Sequence, residues 1–400
     1  MFQDRIRWKE GFYRASWWAF LAMVFIIPFP LPSWIGNILI LWLSVFLLIK
    51  LAFREFRVGK DLWFLAAFLV AVLLSCLFSI NLDKSMTYFR EDMFPISVIY
   101  LSASQLLTGR KRLLQLSLAL MASFTVATCV SFGHYGHRNA LYGIFGHHTR
   151  YGKFLDLALP MALALTVIKD AMTRLLAFSF LILGGYSLVL TLSRGSWIGS
   201  GVGMLGVLTR LRRASIALAA AVGIAIVGLM VFPAKSNISK RFESLVHLEK
   251  AAKTEKSLTH RRDFYKTALV LIKERPILGW GYGRKTPKAI IKRKGLSWFQ
   301  ARKLRPFKSH AHNTYLEIAL ETGLIGLIAF LGLLLFSLMS CLKSHPREGE
   351  VFVIKTGAAF SVVALLVHGL VTNFFQQPFI FLFFLYLALL NSKAGSVSPS

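Results

Sequence analysis

The chain has 400 residues, carries a formal net charge of +29 and is 56% hydrophobic, with 34 phenylalanines. Its mean hydropathy is +0.59 and long apolar runs recur through most of its length, so the composition excludes an ordinary soluble protein. The basic residues lie in short clusters between these runs and in one large loop. Because neither a basic recognition helix nor an aromatic RNA-binding signature is present, the charge does not indicate nucleic-acid binding. The three cysteines are too scattered to suggest a metal site.

The apolar runs predict membrane-spanning helices. They are too long for barrel strands and lack the alternation of apolar and polar residues that such strands show. A helix satisfies its own backbone hydrogen bonds within lipid. We therefore predict an all-α polytopic membrane protein with about twelve transmembrane helices. The predicted spans lie near residues 16–31, 34–51, 62–81, 93–107, 112–132, 153–168, 173–192, 195–209, 214–232, 316–342, 352–373 and 376–391.

The charge of the short loops predicts the orientation. Eighteen lysines and arginines lie in the short loops and N-terminal segment on one side and six in those on the other, which places both termini in the cytoplasm. The long segment between the ninth and tenth spans then lies in the periplasm. Its strongly basic composition does not oppose this, because loops longer than about 60 residues are translocated largely regardless of charge. The predicted domains are transmembrane helices 1–9 (1–232), a periplasmic loop domain (233–315), transmembrane helices 10–12 (316–392) and a short C-terminal tail (393–400).

Within the long loop, Arg261–Glu274 has apolar residues at helical spacing and predicts an amphipathic helix. Arg261 and Arg262 stand at its predicted start, where anions bind well. The helix is expected to stop before Pro276. The basic stretch that follows, "KTPKAIIKRKGLSWFQARKLRPFK", predicts a second amphipathic helix at the lipid interface.

The stretch "SHAHNTYLE" joins this loop to the tenth predicted span. Thr314 and Glu317 fit a capping box, which predicts a helix that begins near Thr314. The positive end of the helix disfavours a charged imidazole, so His312 is expected to be neutral at pH 7, as a general base must be. Asn313 and His310 are candidates for binding substrate. The alternative is a set of interfacial side chains that only cap the helix.

Two further stretches place cations at the predicted membrane border. In "LTLSRGSWIG", Arg194 separates two apolar runs with almost no loop between them. A charge at that depth usually has a partner, and an arginine suits a phosphate because its planar group donates two parallel hydrogen bonds. Arg150 lies in "GIFGHHTRYGKF" with His147, His148 and Lys153 close by. The alternative for Arg194 is a side chain that extends to the membrane surface.

These motifs, in this order, resemble the bacterial O-antigen ligase family, which is part of a wider group that shares a Wzy-C-type domain. The family motif is His, then Asn, Ser or Gln, then nine residues, Gly, two residues and a small residue. The family also has a loop arginine four residues before an aromatic residue, and a membrane-border arginine that is often followed by Leu four positions later, where this chain has Ile198. The matching residues are His312, Asn313, Gly323 and Gly326 for the motif, Arg261 with Tyr265 for the loop, and Arg194 for the border.

The resemblance implies a glycosyltransferase of the bacterial inner membrane with its active site on the periplasmic side. It would move O-antigen, or a related glycan, from undecaprenyl pyrophosphate to a sugar hydroxyl of lipid A–core, without a metal or another cofactor. We expect His312 to act as the general base and Arg194 and Arg261 to bind the pyrophosphate, with inversion at the donor sugar. Arg150, Asn313, His310 and Arg262 are expected to bind substrate. An O-antigen polymerase, an O-linked oligosaccharyltransferase or a transporter of anionic polyprenyl-linked lipids are the alternatives.

Overall fold

The structure, a computed structural model, describes residues 2–133, 140–219, 256–307, 309–343 and 349–392. Every element of regular secondary structure in these ranges is helical, which confirms the predicted all-α class. A π-helical turn, Phe89–Met93, joins two of them. The helices are α1 (Phe2–Ile26), α2 (Ser33–Ala52), α3 (Lys60–Leu77), α4 (Leu82–Tyr88), α5 (Phe94–Leu106), α6 (Arg110–Phe132), α7 (His148–Leu165), α8 (Ala171–Leu190), α9 (Arg194–Arg210), α10 (Lys256–Glu274), α11 (Thr286–Lys294), α12 (Leu296–Ala301), α13 (Thr314–Lys343), α14 (Glu350–Gly369) and α15 (Phe379–Leu390).

Every predicted span that falls within the described ranges coincides with one of these helices. Six of the described helices, α2, α3, α6, α8, α13 and α14, are long and apolar enough to cross a membrane, and α15 is a shorter apolar helix. The total of about twelve spans, the periplasmic loop and the cytoplasmic termini remain predictions. Most of the predicted span 214–232 and the predicted tail 393–400 lie outside the described residues.

Glycines set the distance between α9 and α14. A Cβ atom at Gly195 would collide with the His368 ring, and one at Gly199 would collide with the Ala364 carbonyl oxygen. Gly203, one further turn along the same face of α9, is equally close to α14. Such a stripe of small residues lets two helix backbones approach closely in a membrane. The first turn of α9 is therefore held against the last turn of α14.

Helix α13 bends at Gly323, whose φ of 68° lies in the left-handed region. A Cβ atom here would collide with the Ile277 carbonyl oxygen. The connection after α10 fills the bend, since the Leu324 N–H donates to the Pro276 carbonyl at 2.7 Å. The glycine of the sequence motif is thus required for the contact between the loop helices and α13.

Two predictions for the loop helices are wrong. Helix α10 begins at Lys256, so Arg261 and Arg262 lie in its second turn rather than at its start. The basic stretch after Pro276 forms two short helices, α11 and α12, instead of one. Gly295, with a φ of 76°, ends the first helix and separates it from the second. These helices share a small apolar core with α10 and α13.

Candidate functional site

A cavity of about 580 Å³ lies where several helix ends meet. The N-terminal ends of α7 and α9, the residues before α13 and the C-terminal end of α14 with the segment after it form its walls. Helix α10 adds one side chain, Arg261. The lining residues are Gly146, His147, His148, Thr149, Arg150, Lys153, Leu192, Ser193, Arg194, Gly195, Arg261, His310, His312, His368, Val371, Thr372 and Gln376.

The cavity is strongly cationic. Four of its lining residues are lysine or arginine, and in the described part of the chain no aspartate or glutamate lines it. The N-termini of α7, α9 and α13 are close by, and each adds partial positive charge. Helix N-termini and guanidinium groups both bind phosphate and other anions, so this arrangement suits a polyanionic ligand.

The structure brings together five of the seven residues expected at the site from sequence, although they come from four separate segments of the chain. Residues far apart in sequence meet because α7, α9 and α13 all begin at the same end of the molecule. The five are Arg150, Arg194, Arg261, His310 and His312, while Asn313 and Arg262 do not line the cavity.

Asn313 caps α13 instead. Its Oδ1 accepts a hydrogen bond from the Leu316 N–H at 3.0 Å, and its Nδ2 donates to the Leu370 carbonyl at 3.0 Å. Asn313, and not the predicted Thr314, is therefore the capping residue. The hydroxyl of Thr314 donates to the Thr372 carbonyl at 2.9 Å. Glu317 is buried and accepts from the Ala311 N–H at 2.6 Å. The predicted start of the helix is nonetheless right.

Arg262 is exposed, although its neighbour Arg261 lines the cavity. Successive residues on a helix point about 100° apart, so only one of two adjacent arginines can face the cavity. Arg262, which was expected to bind substrate, therefore does not face the cavity.

His312 is held in an uncommon backbone conformation. Its φ of 58° lies in the left-handed region, which a residue with a side chain rarely adopts unless its surroundings impose it. The Tyr265 hydroxyl lies 3.1 Å from the His312 carbonyl oxygen and 2.9 Å from that of Leu370. The imidazole stacks on Phe264, with ring centroids 5.9 Å apart, and contacts the ring of His310. Helix α10 thus supports the backbone of His312 and one face of its ring.

The surroundings of the two histidines favour their neutral forms. Burial, followed by the positive charges of Arg261 and Lys153, lowers the pKa of His312 to about 4. Burial and the charges of His312 and Lys153 lower the pKa of His310 to about 3. A neutral imidazole at pH 7 agrees with the sequence-based expectation, but burial contributes more than the helix end that suggested it.

A tight turn presents Arg194 at the cavity. Leu192 has a φ of 53°, and this left-handed residue lies in the middle of the three-residue connection between α8 and α9. Ser193 precedes the helix and does not cap a backbone N–H of its first turn, but its hydroxyl oxygen accepts a hydrogen bond from the Ser196 hydroxyl at 2.8 Å. Trp197 fixes the turn from the other side, because its Nε1 donates to the Leu188 carbonyl at 2.7 Å.

His368 and the buried Asp156 beside it were not predicted from the sequence. Each lies within a predicted apolar span, and His368 lines the cavity. Asp156 could have been suspected, because an acidic residue within a span is expensive and usually functional. Among the described residues, no group of three or more His, Cys, Asp or Glu side chains is arranged to hold a metal ion.

Comparison with known proteins gives one family and several relatives. Residues 178–331 match the family described as O-antigen ligase, Wzy_C. A protein of Rickettsia conorii that is provisionally named a polysaccharide ligase is 29% identical over 270 residues, which cover 64% of this chain and 62% of that protein. A protein of Rickettsia felis with the same provisional name is 29% identical over 54% of this chain and 59% of its own length. An uncharacterized protein of Haemophilus influenzae is 30% identical over 45% of this chain and 47% of its own length.

The matches to the two rickettsial proteins span about 60% of their length. The family match contains Arg194, Arg261 and His312, whereas Arg150, Asp156 and His368 lie outside it. The resemblance drawn from the sequence motifs is therefore confirmed for the central part of the chain.

Proposed function

We propose that this chain, whose residues 178–331 match the O-antigen ligase family, is a glycan ligase that acts in the cationic cavity. It transfers O-antigen, or a related glycan, from undecaprenyl pyrophosphate to a sugar hydroxyl of lipid A–core, on the periplasmic face of the bacterial inner membrane. The observation that carries the proposal is the cavity itself. It combines the half-buried imidazole of His312 with four cationic side chains, and no acidic residue of the described chain lines it.

The cations match the leaving group. When the bond between the donor sugar and the diphosphate breaks, negative charge develops on the phosphate oxygens. Guanidinium groups fixed at that position stabilise this charge without reorganising during the reaction. Arg194 and Arg261 are assigned to the diphosphate, and Arg150 supports them from the N-terminal turn of α7.

The imidazole of His312 matches the nucleophile. A sugar hydroxyl attacks poorly while it keeps its proton, so a neutral base within hydrogen-bonding reach is required. The hydroxyl oxygen forms a bond to the anomeric carbon of the donor, its proton passes to His312, and the electron pair of the broken carbon–oxygen bond stays on the diphosphate. One displacement of this kind inverts the configuration of the anomeric carbon. His310 lies against His312 and is assigned to acceptor binding.

The other functions considered from the sequence use the same cavity in different ways. A polymerase or an O-linked oligosaccharyltransferase would join the same type of donor to a different acceptor. A transporter of anionic polyprenyl-linked lipids would use the cations for binding alone and would not need a base. The variant His312→Ala therefore separates an enzyme from a transporter.

The test is the lipopolysaccharide banding of a deletion strain complemented with wild type, His312→Ala or Arg262→Ala. We expect wild type and Arg262→Ala to restore glycan-capped lipopolysaccharide, while His312→Ala leaves bare core and the lipid-linked donor accumulates on the periplasmic face. Core that carries a single repeat unit in the deletion strain would indicate a polymerase, and donor trapped on the cytoplasmic face would indicate a transporter. Full capping by His312→Ala would overturn the assignment of the base.

A further inference from the structure

A buried histidine–carboxylate pair lies beneath the cavity, between α7 and α14. The Nδ1 of His368 lies 2.6 Å from Oδ2 of Asp156, and the two side chains are 1% and 0% exposed. The other carboxylate oxygen of Asp156 accepts a hydrogen bond from the Ser200 hydroxyl at 2.8 Å. Because a carboxylate accepts and does not donate, Nδ1 carries a hydrogen atom and the orientation of the ring is fixed.

The other ring nitrogen of His368, Nε2, is available to a ligand. His368 lines the cavity, and no partner of its Nε2 is found in the described part of the chain. Only a glycine at position 195 leaves room for the ring, because a Cβ atom there would lie 2.7 Å from Nε2 and collide with it. The edge of the ring therefore lies directly against the first turn of α9.

Three groups that bind phosphate meet at this point. The first turn of α9 has no side-chain cap from Ser193, Arg194 is the first residue of the helix, and the ring of His368 lies beside Gly195. A phosphate bound here would lie on one side of the imidazole with Asp156 on the other. A ring that carries a hydrogen atom on both nitrogens can donate one N–H to each of these anions.

We propose that His368 is a further donor-binding residue, oriented by Asp156, whose Nε2–H donates a hydrogen bond to an oxygen of the diphosphate bound at the first turn of α9. The inference rests on the proposed function, because it takes the diphosphate as the ligand of the cavity. His312 and His368 then have separate tasks: the first accepts the proton of the acceptor hydroxyl and the second holds the leaving group.

Two substitutions at one position separate this role from a structural one. In His368→Asn the amide replaces Nδ1 and keeps the hydrogen bond to Asp156, but nothing remains at the position of Nε2. In His368→Gln the longer side chain places an N–H near the position of Nε2. A purely structural histidine would tolerate Asn at least as well as Gln, whereas a ligand-binding Nε2 requires Gln.

The experiment measures the binding of inorganic pyrophosphate to the purified full chain in lipid nanodiscs by calorimetry, with the midpoint of thermal unfolding as a check on folding. A hydrogen bond to a charged group corresponds to roughly 10- to 100-fold in affinity. We expect His368→Asn to lose affinity by about this factor with an unchanged unfolding midpoint, and His368→Gln to stay within about threefold of wild type. Wild-type affinity in His368→Asn, or an equal loss in both variants, overturns the inference.

If His368→Asn does not fold, Asp156→Asn takes its place. This variant keeps the histidine and the volume of the side chain but removes the charge that orients the ring. We expect weaker pyrophosphate binding, and unchanged binding overturns the orienting role of Asp156.

Arg194→Gln distinguishes a failure of this inference from a failure of the proposed function. If wild type and Arg194→Gln both fail to bind pyrophosphate, the cavity is not a diphosphate site and the proposed function fails with this inference. If wild type binds and only Arg194→Gln loses affinity, this inference alone fails.

Discussion

The hydroxyl oxygen of Tyr265 lies 3.1 Å from the carbonyl oxygen of His312, and this contact joins α10 to the segment that carries the proposed base. Arg261 lies four residues before Tyr265 on the same helix, so both point toward the same side of it. One face of α10 therefore supplies a cation to the cavity and also holds the backbone of His312 in its left-handed conformation. The spacing of the arginine and the aromatic residue in the family motif has a structural reason.

Tyr265→Phe tests this support. The change removes one hydroxyl, and the loss of its hydrogen bonding is worth about 1 kcal/mol. We expect a decrease of roughly tenfold in the rate of glycan transfer, because His312 no longer keeps a fixed position relative to the acceptor. Tyr315→Phe is the matched control, since the Tyr315 hydroxyl donates to the Leu366 carbonyl at 3.0 Å without lining the cavity. Transfer assays with purified protein decide the matter, and equal rates in the two variants would contradict the role of Tyr265.

The sequence predicted the residues whose chemistry is local. Arg194 interrupts two apolar runs, and His312 stands before a helix start, so each was visible without tertiary structure. Asn313 was assigned to substrate because a cap and a ligand-binding amide look alike in sequence. Asp156 and His368 become a pair only when α7 and α14 pack together. The glycines that allow α9 to approach them recur every four residues, but this spacing does not identify the helix against which they pack.

Helix boundaries limited the prediction for Arg261. The segment from Lys256 to His260 has Leu258 as its only apolar residue and so shows no apolar period, which is why the helix was predicted to begin at Arg261. Packing against α13, through Ala268 and Leu271 on the buried face of α10, sets the rotation of the helix about its axis. This tertiary contact determines which of the two adjacent arginines faces the cavity.

Arg261→Ala and Arg262→Ala form a matched pair. They remove the same side chain from neighbouring positions, but only Arg261 lines the cavity while Arg262 is exposed. We expect Arg261→Ala to lower kcat/KM for the lipid-linked donor by roughly 100-fold, the size of effect seen when a group that stabilises developing charge is removed. Arg262→Ala should stay within about threefold of wild type, as exposed charges contribute little. An equal loss in both variants would show that the loop acts through its total charge and not through one residue.

The pH dependence of the reaction follows from the surroundings of His312. Its pKa is lowered to about 4, and only the neutral form accepts a proton, so the rate is lost as the pH falls through about 4. If the base were a histidine with an ordinary pKa of about 6.5, the rate would already fall to half at a pH of about 6.5. We therefore expect the dependence of kcat/KM on this group to be flat from pH 8 to about 5 and to fall below it.

Phe264→Ala provides the control for this profile. Phe264 stacks on the imidazole and contributes to its burial, which is the largest cause of the lowered pKa. Exposing the ring to water raises the pKa toward its ordinary value, so the acid limb should move to higher pH. An acid limb near pH 6.5 in wild type, or one that does not move in Phe264→Ala, would contradict His312 as the titrating base.

Gly323→Ala tests the bend that joins the loop helices to the membrane helices. Gly323 has a φ of 68°, and a Cβ atom would also collide with the Ile277 carbonyl oxygen, so the substitution meets both backbone strain and a steric clash. We expect a loss of stability of about 1–3 kcal/mol or more, measured as a lower midpoint of thermal unfolding in detergent.

Gly332→Ala on the same helix is the control, because the nearest atom to its added Cβ would be a Phe64 ring carbon at 3.4 Å. Alanine there keeps or slightly raises the midpoint, since it favours a helix over glycine by about 1 kcal/mol. If both variants unfold at the wild-type temperature, Gly323 is not needed for the bend and the loop helices are held to α13 by their apolar core alone.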